Sequence, residues 1–288
     1  MVALSLRAPR VRRFASPQLP APLLFVLGGL SLYMGAALAV NLFSELAPSA
    51  VAWLRIFGSA VVLLAWRRPR VSTWSRRRWL VAGLFGLVTS VMNITFYEAI
   101  ARIPLGTAVA IEFAGPVTVA AFGSRTRRDI LALALVAVGV LLIAKVEWRA
   151  SPVGLLLIGI AAVLWAGYIV LGKTVASSGN GIDDLAVGAG IATVLLSPLA
   201  WMTGSVWTSG RLLALGVGVG IMSSVIPYGI DQVVLKRVGR AKFAVLLALL
   251  PLTASLIGFL VLRQVPHVTE AVGALAVVIG VALRSKGA

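Results

Sequence analysis

The sequence has no cysteine and one histidine, His267. Without cysteine there is no disulfide, thiolate metal site or iron–sulfur cluster. One histidine excludes haem held by two imidazoles and metal centres built from several. No cofactor is expected. Charge is scarce too: 12% of the 288 residues are Asp, Glu, Lys or Arg, about half the usual share of a soluble chain. Acidic residues are the scarcer sign, nine against 26 basic, for a formal net charge of +17. In a soluble protein that excess would point to nucleic acid. Here the basic residues flank apolar runs rather than forming a stripe on a polar face, so no nucleic-acid partner is expected.

Apolar residues are abundant: 60% of the chain, with a mean hydropathy of +1.01. They come in long runs separated by short polar or basic clusters. A helix crossing a hydrocarbon core of about 30 Å needs about 20 such residues. The runs predict ten spans, at 22–42, 48–66, 79–100, 104–122, 130–146, 152–173, 184–203, 211–233, 241–262 and 268–284. What remains is too short for a soluble domain. The expected fold is an all-α membrane protein of ten transmembrane helices, embedded in the lipid bilayer. Pro48, Pro104 and Pro152 stand at predicted helix starts, where a missing N–H costs nothing. Residues 1–21, rich in Arg and Pro and without periodicity, read as a disordered basic tail. A signal peptide cleaved near Ala37-Leu38-Ala39 is the weaker reading, because the run from Pro22 to Leu42 is long enough to span.

Ten spans with an inside N-terminus put 20 of the 26 Lys and Arg in inside segments and five outside, with Arg55 inside a span. That bias predicts both termini in the cytoplasm. The two halves also resemble each other. A shift of 135 residues superposes Trp66 on Trp201, Arg102 on Arg237 and Pro116 on Pro251. A shift of 132 places Tyr33-Met34-Gly35 on Trp165-Ala166-Gly167, and one of 141 places Gly139-Val140 on Gly280-Val281. Five helices per repeat is an odd number, so the halves, 22–147 and 152–284, are expected in inverted orientation. Inverted repeats with a site between them near the midplane are a common transporter plan.

Two motifs are set aside. Residues 167–174 match the phosphate-loop pattern letter for letter. They end a long apolar helix whose N–H groups are already used, so no nucleotide is expected. Asn93-Ile94-Thr95 matches a glycosylation acceptor but lies inside a span. Gly216, Gly218 and Gly220 suggest a close helix–helix contact. Trp53, Trp66, Trp74, Trp79, Trp148, Trp201 and Trp207 read as interfacial belt residues.

Ionisable residues within spans are expensive and mark pathways or internal pairs. Glu112 lies eight residues after Pro104, about 12 Å along its helix and close to the midplane. Arg55, seven residues after Pro48, is about 10 Å deep. It reads equally as an anchor for an anion and as a structural ion-pair partner. Asp231 is shallower, on the cytoplasmic side, and its two readings are also balanced. Glu98 pairs structurally with Arg102 at i+4. Asn93 and Tyr97 share one helix face, as do Trp165 with Tyr168 and Tyr228 with Asp231. These polar and aromatic residues within spans are the candidate pathway lining, and no metal is expected among them.

The stretch from Asn93 to Tyr97, then Ile103-Pro104-Leu105-Gly106 through Glu112 to Gly115-Pro116, resembles the drug/metabolite transporter superfamily of EamA type. Within it the likeness is to the bacterial threonine/homoserine exporters. Pro227-Tyr228-Gly229-Ile230-Asp231 shares that resemblance, which covers about 22–284. It implies two inverted five-helix repeats, a central cavity and export of small amino acids across the inner membrane, driven by the proton gradient. It carries Asn93, Tyr97, Glu112, Tyr228 and Asp231 onto the pathway. The chain departs from the family at Leu250 before Pro251 and at Arg263-Gln264. The expected partners are a small-molecule substrate and protons. A membrane enzyme would need a clustered catalytic set, which is absent. An assembly subunit would not need charges within spans. An exporter of another amphiphilic metabolite or drug is the nearer alternative.

Overall fold

The computed structural model describes residues 19–103, 108, 111–144, 151–178, 180–250, 253 and 268–285. The expectations for most of the basic tail, Pro104, Trp148, Pro251, Arg263-Gln264 and His267 lie outside the described residues. No strand occurs among the described residues. The helices are α1 (Ala21–Leu42), α2 (Pro48–Arg67), α3 (Arg76–Ile100), α4 (Ala114–Phe122), α5 (Arg127–Ala144) and α6 (Pro152–Ser177). They continue with α7 (Gly181–Leu195), α8 (Gly210–Arg237), α9 (Arg240–Leu246) and α10 (Val268–Ser285).

Local chemistry sets the ends. Pro48 and Pro152 open α2 and α6. Ser75, Ser151 and Ser209 cap α3, α6 and α8 by accepting from the N–H groups of Arg78, Gly154 and Leu212, which satisfies donors the helix leaves orphaned. Arg68 closes α2 in the left-handed region, φ 43°, returning its N–H to Leu64 O. Lys173 Nζ donates to the carbonyls of Leu235 and Val238 at the C-terminus of α8, where a cation meets the negative end of the helix.

Among the described residues, α2, α3, α6 and α8 are long and apolar enough to cross a membrane. The bent pair of α7 and the segment after it makes a fifth if counted as one span. The chain is a multi-pass membrane protein by this measure. Large apolar side chains face outward, among them Leu80, Phe122, Leu156, Val163 and Val194. That is the face a helix turns to lipid, while its backbone polar groups are satisfied internally.

Two expectations are corrected. The span 184–203 is not one straight helix: α7 stops at Leu195 and a 3-10 stretch, Ser197–Thr208, follows at a 67° bend. Pro198 lies in the first turn of that stretch and has no N–H to continue the α-helical ladder. Trp53 is not a belt residue. It is buried, stacked on Phe57 at 5.3 Å, and its indole N–H donates to Thr193 O. Trp66, Trp79, Trp201 and Trp207 are exposed, as interfacial residues are.

The packing has a regular plan. α3 lies against α6, and α1 against α8; α2 packs on α7, α4 on α9 and α5 on α10. Small residues bring the backbones close. A Cβ on Gly220 would lie 2.8 Å from Arg55 O, and one on Gly58 would lie 2.8 Å from Val217 Cα. Gly216 faces Leu54, whereas Gly218 meets nothing, so two of the three suspected glycines make the α2–α8 contact. The phosphate-loop look-alike lies within α6, with Tyr168, Ile169 and Gly172 buried.

Candidate functional site

The close α2–α8 approach carries Arg55 to an irregular turn of α8. There Ile221–Val225 form a π-helical turn just ahead of Pro227. Pro227 has no N–H for the carbonyl one α-turn back, and that carbonyl, Ser223 O, accepts from Arg55 Nη2 instead. Ser224 Oγ accepts from Nε at 2.8 Å. Tyr228 Oη accepts from Nη2 at 3.0 Å, and Tyr97 Oη from Nη1 at 3.4 Å. Arg55 is 4% exposed. All four of these acceptors are neutral, and no carboxylate of a described residue lies within 4.0 Å of it.

The hydrogen bonds continue outward from the guanidinium. Tyr228 Oη donates to Asn93 Oδ1 at 3.1 Å, and Asn93 Nδ2 donates to Thr89 O at 2.8 Å. Tyr168 Oη donates to Asp231 Oδ2 at 2.6 Å. The rings of Tyr168 and Tyr228 lie 5.4 Å apart, and Phe85 stacks on Tyr168 at 5.3 Å. Of the two rings whose hydroxyls meet Arg55, Tyr97 is buried and Tyr228 half-buried against Tyr168, so packing sets their orientation.

These groups surround a cavity of about 170 Å³. Arg55, Asn93, Tyr97, Glu112, Trp165, Tyr228 and Asp231 all line it. Tyr168 stands behind Asp231 rather than on the wall. All eight residues singled out in the sequence therefore meet at one place, drawn from α2, α3, α6, α8 and the segment before α4. Glu112 faces the cavity across from Arg55, beyond ion-pair distance, and Phe113 beside it packs edge-on to Trp165 at 5.9 Å.

The sequence reading missed three contributors. Ser223 and Ser224 were hidden in an apolar span; the signal was a hydroxyl pair just ahead of Pro227, where helix geometry is disturbed. Tyr33 also lines the cavity, and its match to Trp165 in the repeat was the available clue. Glu98 is structural as read: it pairs with Arg102 and accepts from Ser49 N–H at the start of α2. Among the described residues no group of three or more His, Cys, Asp or Glu could hold a metal.

A cavity with one guanidinium held by neutral oxygens and two carboxyl groups can take a zwitterion. The cation offers a place for a carboxylate, and either carboxyl offers one for an ammonium. Aromatic and aliphatic walls exclude bulk water, which strengthens both interactions.

Known proteins bear on this arrangement. Residues 152–285 match the EamA-like transporter family. The chain is 31% identical over 239 residues to the threonine/homoserine exporter RhtA of Salmonella typhimurium strain LT2, covering 81% of this chain and 80% of that one. RhtA of Escherichia coli strain K12 matches with the same identity and coverage. A solved crystal structure of 19% identity superposes with a TM-score of 0.72 over 92% of this chain and 95% of that one. At that identity the likeness concerns the fold.

Proposed function

The chain belongs to the EamA-like transporter family, and from that membership we propose that it exports small polar amino acids of the threonine/homoserine kind by proton antiport. The bundle is ten spans in two inverted five-helix repeats, set in the inner membrane with both termini in the cytoplasm. The observation that carries the reading is Arg55: a buried guanidinium with no carboxylate of a described residue within 4.0 Å, opening on a cavity shared with Glu112 and Asp231.

The packing supports the inverted repeats. Under the shifts of 132 and 135, several lining residues pair with one another: Tyr33 with Trp165, Asn93 with Tyr228, Phe96 with Asp231 and Glu112 with Leu247. Asn93 and Tyr228 bond directly to each other, as counterparts do when both lie near a two-fold axis. The contact of α3 with α6 has its counterpart in that of α8 with α1.

In this reading Arg55 binds the substrate carboxylate, and Glu112 exchanges the substrate ammonium for a proton. Burial disfavours a bare carboxylate, and an arriving ammonium favours it. Solute outward is thereby coupled to protons inward. Tyr97, Tyr228 and Asn93 hold Arg55 in place, while Trp165, Tyr168 and Asp231 form the facing wall. The test is uptake into inverted vesicles of a panel of amino acids, with and without an imposed pH gradient. Gradient-dependent uptake of threonine or homoserine is expected. Uptake of an unrelated amphiphile alone would move the chain to the alternative substrate class. Reporter fusions at 70–75 and at the C-terminus should read as cytoplasmic, and those at 204–209 as outside; an outside C-terminus would overturn the even number of spans.

A further inference from the structure

Gln232, next to Asp231 on α8, is 2% exposed, and among the described residues neither its Nε2 nor its Oε1 has a hydrogen-bond partner. Leaving both ends of a buried amide unpaired is unfavourable and uncommon. The residue is not on the cavity wall. It packs where α6, α7 and α8 meet: its Oε1 would lie 2.7 Å from a Cβ on Gly181, and its Nε2 3.7 Å from one on Gly172.

The surrounding polar groups close that seam. Arg78 pairs with the buried carboxylate of Asp184, and Arg67 with Asp183, across the start of α7. Ser178 Oγ also bonds Asp184, and Lys173 ties α6 to the end of α8. All of these lie at the end of the bundle that the charge bias assigns to the cytoplasm.

The repeat gives Gln232 a counterpart. The shift of 135 that relates Asn93 to Tyr228 relates Tyr97 to Gln232. Tyr97 lines the cavity and bonds Arg55. In an inverted repeat, exchanging the conformations of the two halves opens the other side, so counterpart residues exchange surroundings. We propose that Gln232 is a pathway residue of the cytoplasm-facing state: the seam around it opens, and its amide meets water and the polar groups of the entering solute. The orphaned amide belongs to the closed form of that entrance. Gly172 and Gly181, which leave no side chain against it, let the seam close around it. This inference rests on the inverted-repeat reading above.

The chain has no cysteine, so Gln232→Cys and Tyr97→Cys each carry a single thiol. The probe is a charged, membrane-impermeant methanethiosulfonate, applied to inverted and to right-side-out vesicles. Modification of Gln232→Cys from the cytoplasmic face, and of Tyr97→Cys from the opposite face, is the expected result. An unreactive Gln232→Cys beside a reactive Tyr97→Cys overturns this proposal and leaves the transporter reading standing. If neither reacts, both fail. If Gln232→Cys reacts but no amino acid is taken up, only the solute assignment fails.

Gln232→Met supplies a measurement that does not depend on a thiol. It removes the orphaned amide from the closed seam at similar volume, so it should raise Tm and slow uptake about ten-fold, equivalent to about 1.4 kcal/mol in favour of the closed form. A higher Tm with unchanged uptake would mean that Gln232 is buried in every working state, and the proposal would be wrong.

Discussion

Where α2 crosses α8, the backbones touch through Gly58 and Gly220; where α3 crosses α7, they touch through Gly86 and Gly188. A Cβ on Gly220 would stand 2.7 Å from Ser59 N, and one on Gly86 would run into Gly188 O. Both contacts are made by deleting side chains, the usual way for helices to approach closely in lipid. Their chemistry differs. The first crossing carries Arg55, whose fork reaches over to Ser223, Ser224 and Tyr228. On α7 the position 135 residues after Arg55 is Gly190, which faces Leu64 of α2 and carries no charge. The scaffold is present twice and the charge once. A charge on both sides would place two like charges around one small cavity, a costly arrangement at low dielectric.

The largest test of that difference is to remove the single charge. Arg55→Leu should lower transport by about two orders of magnitude or more, since removing a buried hydrogen-bonded charge costs on the order of 3 kcal/mol. Arg55→Lys should retain a fraction of the rate, because an ammonium cannot reproduce the planar fork. Wild-type uptake by Arg55→Leu at matched protein level would take the charge out of the site and leave the two crossings equivalent.

The two carboxyl groups come next. Glu112→Gln should lose accumulation against a gradient by at least about ten-fold, a change of about 1.4 kcal/mol, while still exchanging substrate for substrate. Asp231→Asn should lose less, since Tyr168 already donates to that carboxyl. The reverse order in gradient-driven uptake would move proton coupling to α8.

The uncharged crossing should answer in stability rather than in chemistry. Gly86→Ala inserts a methyl group against Gly188 O and should destabilise the protein by about 1–3 kcal/mol, read as a lower Tm in detergent. Gly218→Ala, where a Cβ meets nothing, should leave Tm unchanged. Equal effects would mean that the close approach at Gly86 is not what holds α3 to α7.

The smallest effect is expected at the exposed ion pair between Arg211 and Glu45, whose side chains are 63% and 39% exposed. Arg211→Ala should change stability by less than about 1 kcal/mol. Arg78→Ala should cost more, because it strands Asp184, whose side chain is 2% exposed. A Tm scan of the two variants compares them directly.

Much of this was legible in the sequence because lipid constrains composition so strongly. Pro48 and Pro152 marked helix starts, and a charged Arg55 or Glu112 within a span stood out against apolar neighbours. Asn93, Tyr97, Tyr228 and Asp231 were visible as polar residues on shared helix faces. Ser223 and Ser224 were not, because hydroxyls are tolerated in any span, and only the disturbed turn before Pro227 turns the Ser223 carbonyl and the Ser224 hydroxyl toward Arg55. The break after Leu195 was missed for a related reason. Hydropathy continues through Ser197 and Pro198, and the loss of one N–H registers in geometry rather than in apolar content. Trp53 was misread because an indole at a predicted helix end suits both an interface and a core. Only its neighbours Phe57, Trp207 and Thr193 decide between them.

By itself, then, the sequence determined that this protein is a bundle of apolar helices in lipid, and which few polar residues such a bundle must accommodate. Transfer of a charge or a bare backbone group into hydrocarbon is costly enough to be read one residue at a time. The tertiary structure alone decided that Arg55 is held by neutral oxygens rather than by Glu112, that Tyr168 rather than a cation meets Asp231, and that Gln232 is left with no partner among the described residues. Those outcomes depend on which faces of α2, α3, α6 and α8 turn toward one another. Directional contacts of about 3 Å between residues 42 to 173 positions apart are set by packing, which no local pattern in the chain encodes.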